Sequence, residues 1–302
     1  MIATQKYIPP SIGKIGEPYY NEPNDRIKYF CTDLHYSIES IDSKIEDCLD
    51  LMHEYKATRI NARFFAKKSI SVLNTEATIP LAGDYSDFNL IFVGINSPDR
   101  MDNISTLKDE VKMVDYIRSH PHIHPHVFRD YKFEMLSIFN TSKKDLNDLF
   151  WIYKNSFKTY TSELNIPSIK LMIDASKVYV ARTKKEGSIV SVAVGELSEI
   201  DTDFGRFKIS ELSEMATLKE HRRKGLVTHA AKLLIEDLNG SVDLIYSEAR
   251  ACHRPINQSF FNMGFNYAGR LNKQCILSGD YDIAEKGKYE NLNVWYKPRG
   301  KI

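Results

Sequence analysis

One segment, residues 211–238, has the pattern of a β-strand, a tight basic turn and an amphipathic helix. Three cationic residues, Arg222, Arg223 and Lys224, precede Gly225, where the backbone can approach a ligand closely. The first N–H groups of a helix have no partner within it, and the positive end of the helix dipole lies beside them. The segment therefore predicts a phosphate-binding turn. Apolar residues at helical spacing place the start of the helix near Gly225: Leu226, Ala230, Leu233, Leu234 and Leu238.

This turn resembles that of the GCN5-related N-acetyltransferase superfamily, whose signature is Arg/Gln-x-x-Gly-x-Gly/Ala. Residues 222–227 read Arg-Arg-Lys-Gly-Leu-Val, so a β-branched valine stands where a small residue usually lets the pyrophosphate of acetyl-CoA lie close. A charged surface turn before an ordinary helix is the alternative interpretation. The downstream pattern favours the resemblance, because an apolar run at residues 242–246, a helix from Pro255 and a Gly264-Phe265 step follow in the superfamily's order.

Other blocks narrow the resemblance to the β-lysine N6-acetyltransferases. The resemblance implies an acetyl-CoA-dependent enzyme that acetylates a small cationic amino acid, with the N6 amine of β-lysine as its acceptor. Two alternatives remain: acetylation of another amine, such as a different diamino acid, an aminoglycoside or a peptide, or a non-catalytic acyl-CoA-binding regulatory module. The blocks that carry the resemblance are residues 24–27, 76–80, 211–218, 248–251, 257–265 and 290–297.

Length and pattern predict an α/β (α+β) chain of two domains. At 302 residues the chain is longer than one acetyltransferase domain requires, and a proline- and histidine-rich run at residues 119–126 interrupts regular structure. We therefore predict an N-terminal mixed α/β domain, residues 1–130, and a C-terminal domain, residues 131–302. For the C-terminal domain the resemblance implies a mixed, mostly antiparallel sheet flanked by helices. A degenerate half of the same kind is one interpretation of the N-terminal domain.

Composition excludes several classes of partner. Lys and Arg number 41 against 40 Asp and Glu, for a net charge of +1, which argues against nucleic acid or an anionic membrane as the main partner. No run reaches the ~18 apolar residues of a spanning helix, and no signal peptide is visible, so we expect a cytoplasmic protein with free cysteines. No metal is expected, because the histidine run at residues 120–126 lacks a cysteine or carboxylate. The oligomeric state is left open.

Acetyl transfer to an amine requires removal of a proton, since an alkyl amine with a pKa near ~10.4 is almost wholly protonated at neutral pH. Glu214 and Glu211 on the predicted strand are the candidate bases. Strand alternation predicts that they face opposite sides, and we favour Glu214 because it lies closer to the turn. Many superfamily members have a proton-donating tyrosine where this chain has Phe260. Candidate substitutes are Tyr246, Tyr267 and Tyr160.

The substrate contacts are predicted from side-chain chemistry. Arg250 can bind a carboxylate through two parallel hydrogen bonds, and Glu248, two residues earlier, can meet an ammonium. An internal ion pair is the alternative for both, and Tyr160 is a further candidate contact. The resemblance implies acetyl-CoA contacts along the strand, the turn and the next helix: Met215, Ala216, Thr217, Leu218, Arg222, Arg223, Lys224, Gly225, Leu226, Val227, Thr228, Asn257 and Phe260.

Overall fold

The structure, a computed structural model, describes residues 15–101, 104–121, 128–157, 165–277 and 289–298. Five strands and two helices lie before residue 130. The strands are β1 (Tyr19–Asn21), β2 (Arg26–His35), β3 (Arg59–Lys67), β4 (Thr75–Pro80) and β5 (Phe88–Asn96). The helices are α1 (Ile38–Tyr55) and α2 (Ile104–Ser119).

Seven strands and four helices follow. The strands are β6 (Tyr131–Leu136), β7 (Ser176–Thr183), β8 (Ile189–Thr202), β9 (Gly205–Thr217), β10 (Leu244–Arg250), β11 (Asn266–Cys275) and β12 (Glu290–Pro298). The helices are α3 (Lys143–Ser156), α4 (Ile166–Ala175), α5 (Leu226–Leu238) and α6 (Arg254–Asn262).

All twelve strands form one sheet, ordered β1-β2-β3-β5-β4-β11-β12-β10-β9-β8-β7-β6. Two pairs, β2–β3 and β9–β10, are parallel, and the other described pairs are antiparallel. The mixed, mostly antiparallel sheet flanked by helices, predicted from the sequence, is confirmed. The two halves of the chain share this sheet, because β4 lies beside β11. The division into domains near residue 130 stays a prediction.

Local signals set most helix ends. Ser142 caps α3, since its hydroxyl accepts from the N–H of Asp145 and the Asp145 carboxylate accepts from the N–H of Ser142. Helix α5 follows Gly225, as predicted. Strand β4, by contrast, was not predicted, because it is short and only partly buried.

Strands β2 and β3 bury both of their faces. One face carries apolar side chains, including Ile27, Ile60 and Ala62, that share a core with residues of α1. The opposite face meets the C-terminal half through an apolar cluster that includes Phe30, Phe65, Phe207 and Tyr246. Alternation also places five buried polar side chains on this second face. They are Arg26, Lys28, Arg59, Asn61 and Arg63. Buried charges require partners, and the partners of Arg63 lie at the candidate site.

The contact between β4 and β11 depends on Gly269, whose φ is +146°. A Cβ there would collide with the backbone oxygen of Glu76 and lie 2.6 Å from the Cα of Ala77. Gly269→Ala is therefore expected to lower the free energy of unfolding by about 2–3 kcal/mol or more, measured by urea denaturation. Gly187→Ala is the control: its φ is +64° but nothing lies within 4 Å, so only about 1 kcal/mol of backbone strain is expected. Equal losses in the two variants would contradict the close approach.

Candidate active site

The turn before α5 has the backbone geometry of an anion site. Gly225 adopts φ +70° and ψ 15°, and no side chain caps the helix that follows it. Arg223 also has a positive φ, +63°. Side chains at Arg222, Arg223 and Lys224 are exposed, so the charges surround the turn without filling it. The first N–H groups of α5 therefore face the turn with cations beside them, which fits a bound pyrophosphate.

Strand β6 braces this turn. The Nζ atom of Lys224 donates to the hydroxyl of Tyr131 at 2.8 Å, and the same hydroxyl lies 2.9 Å from Nδ1 of His221. The Nε atom of Arg222 donates to the backbone oxygen of Thr217 at 3.0 Å. These contacts hold the turn against the end of β9.

A gap opens between β9 and β10. The two strands pair in parallel only over Ile209–Glu211, although β9 continues to Thr217 and β10 to Arg250. Beyond Glu211 the described contact between them is a side-chain bond, in which the hydroxyl of Ser247 donates to the backbone oxygen of Leu212 at 2.7 Å. Glu211 thus lies where the strands separate, on the strand that leads into the basic turn.

A β-bulge interrupts β9 between Glu211 and the turn. Ser213 pairs with Val194 and Ala216 with Val192, so two residues of β9 stand opposite one residue of β8. One of the two is Glu214, whose φ of +43° lies in the left-handed region. Regular alternation therefore fails at this position.

The prediction that Glu211 and Glu214 face opposite sides relied on regular alternation, which the bulge interrupts, and it stays a prediction. Glu211 lies directly opposite Glu196 across β8 and β9. Burial raises the pKa of Tyr153 well above its usual range, and the neighbouring carboxylates of Glu214 and Glu196 raise it further. Glu214 also accepts a short hydrogen bond from the hydroxyl of Ser213.

Glu211 has a buried carboxyl group with a raised pKa. It is 4% exposed. Burial, followed by the charge of Glu248, raises the pKa of Glu211 to about 8, while Arg63 and a hydrogen bond from Tyr246 oppose the shift. Its Oε2 atom has no hydrogen-bond partner among the residues that the structure describes. A carboxyl group of this kind titrates near neutral pH and can accept a proton from an amine.

Arg63 on β3 connects the N-terminal half to this carboxyl group. Its Nη1 atom donates to the hydroxyl of Tyr246 at 2.7 Å, and its Nη2 atom lies 2.5 Å from Oε1 of Glu248. The guanidinium also lies over the rings of Phe30, Phe92 and Tyr246, at 5.6, 5.1 and 5.5 Å from their centroids. Sequence reasoning missed Arg63, because an isolated arginine in an apolar strand carries no motif.

Both predicted substrate contacts are held in internal ion pairs. Arg250 donates to the two carboxylate oxygens of Glu290 at 2.7 and 2.8 Å, so it already holds a carboxylate in the two-pronged geometry expected for a substrate. Glu248 is paired with Arg63. The structure therefore favours the internal-ion-pair alternative for Arg250 and Glu248. Tyr160 lies outside the described residues.

The amide of Asn257 is also used within the protein. Its Nδ2 atom donates to the backbone oxygens of Arg250 and His253, at 2.9 and 2.8 Å. Its Oδ1 atom accepts from Asn293 and Trp295, at 2.9 and 2.8 Å. These four bonds use the full capacity of an amide, so the structure does not support the predicted acetyl-CoA contact of this side chain.

Among the other predicted acetyl-CoA contacts, some are engaged within the protein and some have a backbone edge that is not paired. Phe260 is buried and packs edge-on against Phe265 at 5.2 Å, so its ring belongs to the core. The N–H of Leu218 donates to the backbone oxygen of Val190 at 2.9 Å, and Leu226 is buried. Along Met215 to Thr217, the edge of β9 beside the gap is not paired with β10. Val227 is half-buried and Thr228 donates to the hydroxyl of Ser259 at 3.1 Å.

The remaining sequence predictions concern metals, membranes and cysteines. Among the described residues, no group of three His, Cys, Asp or Glu side chains could hold a metal ion. Within the same ranges, no helix combines the length and apolar character needed to cross a membrane. Of the histidine run, His120 stacks on Tyr116 at 4.1 Å, and residues 122–127 lie outside the described part of the chain. The cysteines are free, as predicted.

Comparison with curated proteins finds relatives in sequence that are N-acetyltransferases. No protein-family model matches the chain. The N-acetyltransferase YodP of Bacillus subtilis is 26% identical over 165 residues, which cover 53% of this chain and 54% of YodP. The β-lysine N6-acetyltransferase of Methanosarcina mazei is 25% identical over 152 residues, which cover 50% of this chain and 51% of that protein. The chain thus spans about half the length of the curated relatives that it matches.

Among solved structures, the chain is similar to the ribosomal-protein-S5-alanine acetyltransferase of Vibrio fischeri. The two are 12% identical, and their TM-score is 0.46 over 58% of this chain and 96% of that one. The resemblance to N-acetyltransferases predicted from the sequence is confirmed, and the curated relatives that carry it match about half of this chain.

Proposed function

We propose that the chain is an acetyl-CoA-dependent N-acetyltransferase that acetylates an amine of a small cationic amino acid. The observation that carries the proposal is the buried carboxyl group of Glu211 at the opening of the gap between β9 and β10. The same strand runs from this carboxyl group into the basic turn before α5. A proton acceptor and an anion site are therefore joined by one short segment, as transfer from a nucleotide thioester to an amine requires.

Acetyl-CoA would bind along this segment. The N–H groups at the start of α5 and the cations of Arg222, Arg223 and Lys224 would hold its pyrophosphate. The backbone edge of Met215 to Thr217 faces the gap without a partner strand, and it can bond the extended pantetheine arm as a β-strand would. N–H groups of this edge can also stabilise the charge that develops on the thioester oxygen.

Glu211 would act as the base. The carboxylate takes one proton from the substrate ammonium, and the neutral nitrogen forms a bond to the acetyl carbon. The carbon–sulfur bond then breaks, the thiolate leaves, and the nitrogen releases its second proton to water as the amide forms. A thiol with a pKa near ~8.5 can leave as its anion, so Phe260 in place of a tyrosine is compatible with this chemistry. We assign the base to Glu211 rather than to Glu214, because Glu211 combines a raised pKa with an Oε2 atom that no described residue engages.

We propose the N6 amine of β-lysine as the acceptor. Support comes from the sequence similarity to the β-lysine N6-acetyltransferase of Methanosarcina mazei, which is 25%. Thioester turnover with a panel of amines tests this choice: β-lysine, lysine, an aminoglycoside and a peptide. Release of thiol with a different amine, and not with β-lysine, would identify that amine as the acceptor. Binding of acetyl-CoA without thiol release for any amine would favour a non-catalytic module.

The cofactor turn has a direct test. Gly225→Pro cannot retain a φ of +70°, because proline fixes φ near −65°, so the turn must rearrange. We expect isothermal titration to show acetyl-CoA affinity reduced by roughly 10-fold or more, which corresponds to losing ~1.4 kcal/mol of binding. Gly240→Pro, at a φ of +77° beyond the other end of α5, is the matched control and should bind normally. Equal affinities in both variants would place the cofactor elsewhere.

A further inference from the structure

The inward face of β2 and β3 carries a buried amide that the protein does not use. Asn61 is 1% exposed, yet neither its Oδ1 nor its Nδ2 atom has a hydrogen-bond partner within the described ranges. An unused amide at this depth costs free energy, so it requires an explanation. The two atoms offer one acceptor and two donors to the same small volume.

The neighbours of Asn61 are charged. Lys28 lies beside it in the parallel register of β2 and β3, so both side chains are on the inward face. On the other side, β5 presents Gly94 opposite Asn61, and the Glu76 carboxylate occupies the place of the missing side chain. That carboxylate is already paired with Arg59. Asn61 therefore lies between a cation and a carboxylate without bonding either.

This face is linked to Glu211 through Arg63 and Tyr246, since the hydroxyl of Tyr246 contacts Arg63 and forms a hydrogen bond with Glu211. Arg63, two residues along β3 from Asn61, contacts Tyr246 and Glu248. Burial, then the charges of Arg26 and Arg63, lower the pKa of Lys28 to about 7, while the carboxylates of Glu248 and Glu211 oppose that shift. Lys28 is thus within electrostatic range of the proposed base.

We propose that Asn61 and Lys28 hold the amino-acid end of the substrate while its distal amine reaches Glu211. The Oδ1 atom of Asn61 accepts from the substrate ammonium, and its Nδ2 atom and the Nζ of Lys28 donate to the substrate carboxylate. The inference rests on the proposed function and deepens it, because it names the chemical class of the acceptor: a diamino acid whose ammonium and carboxylate are both recognised. It also gives the N-terminal half a role in specificity, which the sequence left open.

Two acceptors separate this role from a structural one. β-Lysine and cadaverine both present a distal primary amine, but cadaverine lacks the carboxylate. In Asn61→Leu, KM for β-lysine should rise by roughly 10- to 100-fold, whereas KM for cadaverine should change by less than about threefold. Acetyl-CoA affinity should be unchanged. The midpoint of thermal unfolding should stay the same or rise, because leucine has a similar volume and removes an amide that has no partner.

A second variant is expected to change KM for the two acceptors in opposite directions. Asn61→Asp keeps an acceptor for the ammonium but repels the carboxylate, so it should raise KM for β-lysine and lower KM for cadaverine, whose second ammonium occupies the head position. Ser210→Ala is the matched control, since its hydroxyl is also buried and without a partner in the described part of the chain. Ser210 neighbours Glu211 on β9, so its side chain lies on the opposite face, and its kinetics should match the wild type.

The possible failures are distinguishable. Proportional losses for both acceptors in Asn61→Leu, or a clear fall in its unfolding midpoint, would make Asn61 a structural residue and overturn this inference alone. Wild-type turnover of cadaverine but of neither β-lysine nor lysine would have the same consequence. Absence of thiol release with every amine, while acetyl-CoA still binds, would overturn the proposed function and this inference together.

Discussion

Glu211→Gln is expected to lower kcat for acetyl transfer by roughly 10²- to 10⁴-fold, the range that a positioned general base contributes. The substitution preserves the volume and the hydrogen bond from Tyr246 but removes the proton acceptor. Because the pKa of Glu211 is about 8, the wild-type rate should rise with pH through this value as the carboxylate form accumulates. The glutamine variant should lose this limb and keep only the rise that follows the amine's own pKa, near ~10.4.

Glu214→Gln is the matched comparison, because Glu214 is a second buried glutamate on the same strand. We expect it to lower kcat by less than about 10-fold, since its carboxylate accepts from Ser213 at the bulge. A large loss for Glu214→Gln, together with a mild effect of Glu211→Gln, would transfer the role of base to Glu214.

Glu211 should also make stability depend on pH. Its pKa is raised from 4.5 to about 8 on folding, so the folded state retains a proton that the unfolded state loses. This contribution to stability is complete below pH 4.5 and is lost as the pH rises to about 8. The slope is at most about 1.4 kcal/mol per pH unit. Denaturation of the wild type and Glu211→Gln across this window should show the variant gaining relative stability as the pH rises.

Arg63→Met is expected to lower the free energy of unfolding by about 3–5 kcal/mol, because it leaves the buried Glu248 carboxylate and the Tyr246 hydroxyl without their cation. Methionine largely retains the packing over Phe30 and Phe92, so the loss in the free energy of unfolding measures the effect of removing the guanidinium charge. Arg63 also opposes the rise in the pKa of Glu211. Removing it should therefore move the rise of the rate with pH to a higher value.

Two comparisons isolate the ion pair. Adding Glu248→Gln to Arg63→Met should recover part of the lost stability, because no unpaired charge then remains buried. Arg206→Ala is a matched control at the surface, where Arg206 pairs with Glu199 and Asp201 in solvent and only a small change in the free energy of unfolding is expected. A loss of that small size for Arg63→Met would show that the two halves do not depend on this contact.

Short-range pattern was sufficient for much of the fold. Helix α5 begins after Gly225, as the sequence predicted, because the periodicity of apolar residues depends on positions a few residues apart. The turn at Arg222 to Gly225 was predicted for the same reason. Strand β4 was not, since its six residues lack a clear alternation and its place in the sheet depends on β5 and β11.

The sequence favoured Glu214 as the base because it lies closer to the turn, and it assigned Glu211 and Glu214 to opposite faces by regular alternation. The rule that successive side chains point to opposite faces holds only while both strands advance in step, and the bulge at Glu214 inserts one extra residue into β9. The sequence identified both glutamates but could not rank them, because burial and the nearby charges of Glu248 and Arg63 arise from other strands. Those neighbours, rather than distance from the turn, favour Glu211.

By itself the sequence determined the chemistry available to this protein: an anion-binding turn, two candidate carboxylates on the strand before it and a resemblance to N-acetyltransferases. Only the tertiary structure decided which side chains meet. Arg63 reaches Glu248 across 185 residues of chain, and Arg250 is held by Glu290 rather than left for a ligand. Neither pairing can be predicted from the local sequence pattern, because the order of strands in the sheet, and not the spacing along the chain, determines which distant residues form ion pairs.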